Sequence, residues 1–229
     1  MSLRIVIPAL NEEKYLPKLL ISIKLQDYPC EIVVADAGSS DATRKIAQDF
    51  GCKVVAGGLP PKGRNEGAKH ANADLILFLD ADVILPAGFL ATAIKEFEEK
   101  RLDIATCSAD PLSSNWIDRA VFGLANLAII LFQKYRPFAQ GFCLLVRKSL
   151  HDRIAGFNER VTFAEDSEYA LRASVYGRFG VIGRKIMVSA RRFEKEGRLR
   201  LLGKYFYFNL ARLLFGEIKR PIDYDYGDF

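Results

Sequence analysis

The 229-residue chain reads as an α/β protein built on a mostly parallel, Rossmann-like sheet flanked by helices. Three observations predict this. Short apolar runs alternate with segments of helical periodicity through the first half. The run Leu75–Leu79 is five apolar residues in succession, the pattern of a strand buried on both faces. It ends in two carboxylates separated by one residue, Asp80 and Asp82. In an open α/β sheet, ligands bind in the crevice outside the carboxyl ends of the strands.

In chain order, residues 3–7 form a first strand that Pro8 ends. A helix follows over residues 12–24, with Asn11 as its N-cap, acids in its first turn, and Leu16, Leu19, Leu20 and Ile23 at helical spacing. Residues 31–35 are a second strand, closed by the turn formers Asp36-Ala37-Gly38-Ser39-Ser40-Asp41. Asp41 can cap a helix over 42–50. Lys53–Ala56 is a third strand, residues 57–63 a loop of Gly and Pro, and residues 64–71 a helix leading into Leu75–Leu79.

The second half is less regular. A helix over 87–100 precedes a strand over 103–108. Residues 116–135 form a long apolar helix whose uncharged centre, 120–133, is shorter than the roughly 20 residues a membrane span needs. It reads as buried or interfacial. Residues 142–146 are a strand and Gly156-Phe157-Asn158-Glu159 a turn. Glu165-Asp166 opens a helix to Tyr176 with Gly177 as C-cap, and strands follow over 179–182 and 186–190. The last helix, over 197–215, gathers Leu199, Leu202, Phe206, Leu210, Leu213 and Leu214 on one stripe, with Arg200, Lys204 and Arg212 elsewhere. Such a basic amphipathic helix either lies on a membrane surface or packs on protein.

Composition narrows the function classes. Half the residues are hydrophobic and the net charge is only +5. Residues 184–220 hold eleven Lys or Arg against three Glu, which leaves the remainder mildly acidic and points to an anionic partner near the C-terminus. The basic residues there alternate with leucines and aromatics, which disfavours nucleic acid. Cys30, Cys52, Cys107 and Cys143 lack metal or redox spacing, which suits a reducing, cytoplasmic compartment. Met1 leads straight into a strand, so no signal peptide is visible. His70 and His151 are isolated and are expected at the surface, which disfavours haem, zinc and Ser-His chemistry.

The strand ends at Pro8, Asp36 and Asp80, together with the loop at Gly63, outline one nucleotide-sized crevice. Asp80-Ala81-Asp82, followed by Pro86 and Gly88, has the chemistry of a seat for a hard divalent cation, since Mg²⁺-type ions take one or two carboxylates plus substrate phosphates. Strand-end acids that merely cap the next helix are the plainer reading. For Asp36 the plainer reading is an Asx-type turn, and for Glu165-Asp166 ordinary helix-end acids.

The ordered series Ile-Pro-Ala-Leu-Asn11-Glu12-Glu13, Val-Val-Ala-Asp36-Ala-Gly38-Ser39-Ser-Asp41, Gly63-Arg64-Asn65-Glu-Gly67, Asp80-Ala-Asp82, Gly141, Gly156-Phe157-Asn158-Glu159 and Glu165-Asp166 resembles the family 2 glycosyltransferases over residues 4–192. The resemblance implies the GT-A fold as a single domain. Residues 1–100 would be the nucleotide-sugar half, 101–192 the acceptor half, and 193–229 a basic amphipathic helix and tail. It implies a metal-dependent, hexosyltransferase-type enzyme working with inversion on a UDP-, GDP- or dTDP-sugar. Pro8, Ala9 and Glu12 would line the base pocket. Asp36, with Gly38 in its loop, would contact base or ribose, and Arg64 would lie near base or diphosphate. Asp80 and Ala81 would face the ribose, Asp82 would bind Mn²⁺ or Mg²⁺, and Asp166, with Glu165 beside it, would be the general base. One departure is Ala37, where many members carry a second acid, which leaves the preferred base open.

The residue types suit that chemistry independently. A nucleoside diphosphate leaving group gains negative charge that a cation at Asp82 and an arginine such as Arg64 can stabilise. A carboxylate in reach of an acceptor hydroxyl can take its proton. If the acceptor is a lipid-linked or polyprenyl phosphate, Asp166 positions more than it deprotonates, and Arg147, Arg191 and Arg192 are candidates to hold the phosphate. Two other classes are a nucleotidyltransferase that makes activated sugars and a sugar-nucleotide-binding module without activity. The first normally needs a Gly- and Lys-containing loop after the first strand, where this chain has the acidic stretch from Pro8 to Glu13. The C-terminal helix would hold the enzyme peripherally at the inner face of the membrane.

Overall fold

A computed structural model of the chain describes residues 1–69, 72–135, 137–161, 163–198, 200–204 and 207. Strands β1 (Leu3–Ala9), β2 (Cys30–Asp36), β3 (Lys53–Ala56) and β4 (Leu75–Leu79) are joined by helices α1 (Leu16–Lys24), α2 (Thr43–Asp49) and α3 (Pro60–Ala68). They lie side by side in the order β3-β2-β1-β4, all parallel. The chain winds outward from β1 to β3, then crosses back to place β4 on the other side of β1. The carboxyl ends of β1 and β4 therefore flank a topological switch point, the place where such sheets hold ligands.

The second half completes the sheet. It comprises β5 (Val83–Ile84), α4 (Phe89–Glu99), β6 (Ile104–Pro111), α5 (Trp116–Phe132), β7 (Cys143–Arg147), α6 (Lys148–Arg153), α7 (Glu165–Ser174), β8 (Phe179–Val188) and α8 (Arg191–Glu196). The sheet order continues β4-β7-β6-β8-β5, with β7 antiparallel to both β4 and β6 and β8 antiparallel to β5. The sheet is mixed: the mostly parallel arrangement expected of it holds from β1 to β4 and gives way at β7.

β4 explains why the core has two layers. All five of its side chains are buried. Leu75, Leu77 and Leu79 face a cluster with Leu16, Leu20, Phe89 and Phe97, while Ile76 and Phe78 face Val6, Phe157 and Tyr169 on the other side. Each large apolar side chain removed from water in this way contributes about 1.5–3 kcal/mol. Two-faced burial is what an unbroken apolar run encodes.

Several boundaries differ from the sequence expectations. α1 begins at Leu16 rather than residue 12, and Asn11 is not its N-cap. Asn11 sits at φ 54°, and its Oδ1 accepts from the Ser40 amide at 3.0 Å. Residues 57–63 are not all loop, because α3 starts at Pro60. Prolines at the first helical positions lose no hydrogen bond and have the right φ, so here they start a helix. β1 runs past Pro8 to Ala9, since its ladder with β4 stops at Val6 and Pro8 has no such bond to lose. α7 ends at Ser174, before Gly177, and residues 179–188 are one strand rather than part of two. α8 lies where the sequence reading places no helix, before residue 197. The helix expected over 197–215 lies largely outside the described residues, as does His70.

His151 is a clear correction. It is buried, not at the surface, and its Nδ1 lies 2.8 Å from the Tyr169 hydroxyl. It stands among Phe78, Phe157 and Tyr169, the last two stacked at 4.0 Å. Burial depresses the imidazole to about 4, so the ring is neutral at ordinary pH. Isolation in sequence does not imply exposure, because a neutral His with one partner fits a core.

α5 departs in the opposite sense. Its inward side carries Asp118 and Asn126 beside Ile129, while Leu124, Leu127, Leu131 and Phe132 face solvent. Among the described residues no helix is long and apolar enough to cross a membrane.

Candidate active site

The loops at the strand ends are latched to each other before any functional side chain is placed. The Asn11 amide donates to Ser39 Oγ at 2.9 Å, the Glu12 amide to Thr43 Oγ1 at 2.7 Å, and the Glu13 amide to Asp41 Oδ2 at 3.0 Å. The backbone N–H of Ala37 reaches Ala9 O at 2.9 Å. The turn after β1 and the turn after β2 thus form one rigid rim. Asp36 is buried in it, and its carboxylate accepts from the amides of Gly38 (3.1 Å) and Ser39 (3.2 Å) with Arg44 at 3.7 Å. That is the Asx-type turn the residues allowed.

Two charged knots stand inside this rim. The first is centred on Arg64, which is only 3% exposed. Its Nη1 donates to Glu165 Oε1 at 2.7 Å and its Nη2 to Asp80 Oδ1 at 2.9 Å, with the Gly141 carbonyl at 3.3 Å. The guanidinium also lies over the Phe157 ring, 5.4 Å from its centroid. Burial alone would make Arg64 easier to deprotonate, but Asp80, Glu165 and Asp166 outweigh it and hold the charge firmly. Arg64 therefore joins the end of β4 to the start of α7.

Asp166 borders this knot. Its Oδ1 accepts from the Ser167 amide at 2.6 Å. Loss of solvent and the negative charge of Glu165 push its carboxyl up to about 7, with Arg64 opposing. A carboxylate poised there is suited to take a proton near neutral pH. Gly141 closes the other side, where a Cβ would lie 2.9 Å from Arg64 Nη2 and 3.1 Å from Asp166 Oδ2. A glycine here lets the chain pass close to both without displacing either side-chain tip.

The second knot is centred on Arg191. Its Nη1 and Nη2 donate to Glu12 Oε2 (2.9 Å) and Oε1 (2.6 Å), and its Nε lies 3.0 Å from Asp82 Oδ2. The guanidinium sits 4.5 Å from the Tyr15 ring centroid. Desolvation raises both Glu12 and Asp82, and Arg191 opposes it in each. The register of β5 with β8 creates this contact. Val83 pairs with Val188, and the Ser189 amide continues the ladder to the Asp82 carbonyl at 3.1 Å, which delivers Arg191 to the carboxylate.

The Gly63-Arg64-Asn65-Glu66-Gly67 stretch, expected as a loop and helix start, lies inside α3 and its residues face three ways. A Cβ on Gly67 would lie 2.3 Å from Val6 Cγ1, so the glycine lets α3 press against β1. Arg64 faces the crevice. Asn65 faces the turn after α6, where its Nδ2 donates to Phe157 O and Glu159 Oε1, both at 2.9 Å, and its Oδ1 accepts from the Phe157 amide at 2.8 Å. Arg172 on α7 reaches the same turn at Gly156 O, 2.8 Å.

Of the residues expected in the site, Pro8, Ala9, Glu12, Asp36, Gly38, Arg64, Asp80, Ala81, Asp82, Glu165 and Asp166 all lie around the carboxyl ends of β1, β2 and β4. Arg147 does not. It pairs with Leu75 at the opposite end of β4 and bonds Glu98 at 3.0 Å. Arg191, a phosphate candidate in the sequence, holds two carboxylates instead. Its partners are remote in sequence, and no local pattern marks them. Among the described residues no group of three or more His, Cys, Asp or Glu is arranged to hold a metal ion.

Comparison with known proteins follows the same lines. The model of the family described as Glycosyl transferase family 2 matches residues 4–154. The chain is 25% identical over 209 residues to poly(ribitol-phosphate) β-N-acetylglucosaminyltransferase TarS of Staphylococcus aureus, covering 86% of this chain and 36% of TarS. It is 39% identical over 93 residues to 4,4′-diaponeurosporenoate glycosyltransferase of Staphylococcus haemolyticus, covering 37% of this chain and 25% of that one. The chain thus spans about a third or less of these relatives. The crystal structure of TarS 1–349 with UDP-GlcNAc superposes with a TM-score of 0.68 at 25% identity, over 83% of this chain and 59% of that one. The mannosyltransferase PcManGT of Pyrobaculum calidifontis, with GDP-Man and Mn²⁺, gives 0.68 at 21% identity over 90% and 64%. The latched rim, the acidic end of β4 and the GT-A sheet around them have one origin: the chain belongs to glycosyltransferase family 2.

Proposed function

We propose that the chain transfers a sugar from a nucleoside-diphosphate donor to an acceptor, with a divalent ion at Asp82 and Asp166 as general base. The observation that carries the reading is the Arg64 bridge. One buried cation joins Asp80, where a donor would sit, to Glu165 beside Asp166. A single rigid link thus spaces the donor end of the crevice from the proton acceptor, the kind of fixed geometry that transfer requires.

Residues 1–100 form the donor half, with Pro8, Ala9, Glu12, Asp36, Gly38, Asp80 and Ala81 along it. Residues 101–192 form the acceptor half. The relatives named above bind UDP-GlcNAc and GDP-Man, which supports UDP- or GDP-sugars, with dTDP-sugars a third class. The donor set suits Mn²⁺ or Mg²⁺ in its chemistry. Asp80 and Asp82 lie close enough to Glu12 to raise it, and Asp80 close enough to Asp82 to raise that group too, and such ions take few protein oxygens and complete their shell with phosphate and water. A bound ion supplies positive charge against the departing diphosphate. Arg64 is placed to add to it. Asp166, half-charged near neutral pH, takes the proton of an acceptor hydroxyl as the new bond forms on the face opposite the leaving group, with inversion. If the acceptor is instead a lipid-linked phosphate, Asp166 orients it. The basic segment 193–229 would then meet the inner face of a membrane, in a cytoplasmic setting.

A thermal-shift panel of UDP-, GDP- and dTDP-sugars, each with and without Mn²⁺, tests the reading. A donor that binds only the folded chain raises the melting temperature as ln(1 + [L]/Kd). One nucleotide class should stand out, only with the ion, and Asp82→Asn should abolish the ion's effect. No shift with any sugar nucleotide would overturn the proposal, and an ion-independent shift would remove Asp82 from it.

A further inference from the structure

α5 is built inside out. Its sole acid, Asp118, is 0% exposed, held by Arg198 Nε at 2.8 Å and Ser113 Oγ at 2.6 Å. Asn126 is also buried, and its amide mimics a strand partner. It accepts from the Ala109 amide at 3.0 Å and donates to the Ala109 carbonyl at 2.8 Å. These bonds fix the helix about its own axis, because turning it would strand both polar groups in the core. The outward side is then apolar by construction. Trp116 (75% exposed), Leu124 (69%), Leu127, Leu131 and Phe132 lie along it, and Tyr135 follows just beyond. A contiguous apolar strip of this kind marks a surface meant to be covered.

The charge around the strip says what covers it. No acid lies on the outward side of α5, and two cations are exposed beside the strip, Arg119 on the helix and Lys134 just beyond its end. The basic C-terminal segment packs against the same helix through the Arg198–Asp118 pair and the Phe122–Phe193 contact, at 6.1 Å between centroids. Arg200, two residues on from Arg198, is exposed. An apolar strip with Trp and Tyr toward its two ends and cations beside it matches the boundary between acyl chains and anionic headgroups. A second copy of the chain fits less well, since it would bring two basic flanks together.

We propose that the outward face of α5 is a docking surface for an anionic lipid bilayer, on which the helix lies flat. The consequence reaches the site. α5 leads through residues 133–140 to Gly141, whose carbonyl accepts from Arg64. Docking through α5 would bring the acceptor side of the crevice beside the bilayer, where a membrane-borne acceptor can enter. The inference goes beyond the donor chemistry and does not depend on it.

Trp116 is the only tryptophan, so its emission reports this face alone. The full chain is titrated with vesicles of phosphatidylcholine alone and of phosphatidylcholine with phosphatidylglycerol, and binding is read by flotation and by Trp116 fluorescence. The expected result is binding to the anionic vesicles with a shift of emission to shorter wavelength. Leu124→Glu/Leu131→Glu should weaken binding at least about tenfold, because each leucine forfeits its transfer from water. Both positions are exposed, so the melting temperature and donor binding of the variant should match the parent. Vesicle binding that leaves Trp116 unshifted, or that the double variant retains, would overturn the proposal in favour of the basic segment alone. So would an absence of vesicle binding. So would a Trp116 shift that follows protein concentration without lipid, which would make the face a self-association surface.

Discussion

Nε of Arg191 lies 3.0 Å from Oδ2 of Asp82, and the remaining nitrogens of the same guanidinium are held by both oxygens of Glu12. The proposed cation seat is therefore already neutralised by the chain itself. An ion at Asp82 must compete with Arg191, and a released Arg191 would stand within reach of a diphosphate.

Replacement of Arg191 separates these effects. Arg191→Gln should bind Mn²⁺ alone more tightly than the parent, by calorimetry, because the competing cation is gone. It should also unfold more easily, by roughly 2 kcal/mol in urea, because two desolvated carboxylates lose their partner. Equal or weaker Mn²⁺ binding would show that the clamp and the ion do not share Asp82.

Asp166→Asn should lower kcat for transfer by about 10²–10⁴-fold while leaving donor binding close to that of the parent, the signature of a lost proton acceptor. The charge of Glu165 helps hold Asp166 up near 7. Activity of the parent should therefore fall as pH drops through about 7, where Asp166 gains its proton. Glu165→Gln should move that limb to lower pH. A limb that stays in place would exclude Asp166 as the titrating group.

Asn65 ties α3 to the 156–159 turn with three hydrogen bonds. Asn65→Ala would leave the Phe157 amide and carbonyl without it, at a cost of about 1–3 kcal/mol in folding stability. Phe157 lies under Arg64, so the variant should also impair transfer at saturating donor. Denaturant midpoints and kcat measured on the same preparation check both.

His151 makes stability depend on pH. Burial lowers its value from 6.5 to about 4 in the folded chain, so the unfolded chain binds the proton first as pH falls. The His151 contribution is intact above about 6.5 and is lost progressively down to about 4, by roughly 3 kcal/mol in all. His151→Gln should flatten the slope of unfolding free energy against pH across that window, as measured by urea titration.

Much was legible in the sequence because it is local. The five-residue run of β4 declares two-sided burial, and its two terminal aspartates declare a polar strand end, without reference to any other segment. The turn chemistry after β2 likewise follows from Asp36 and the amides two and three residues on. Which side chains neutralise which acids was decided only by the tertiary structure. Arg64 meets Glu165, and Arg191 meets Asp82, through strand registers and helix placements that join residues about a hundred positions apart. The inward turn of Asp118 and Asn126 follows the same logic, and so does the burial of His151. The sequence alone determines which groups must be satisfied. Only the packed chain decides by whom, because a buried charge or amide takes its partner from whatever the fold brings within 3 Å or so.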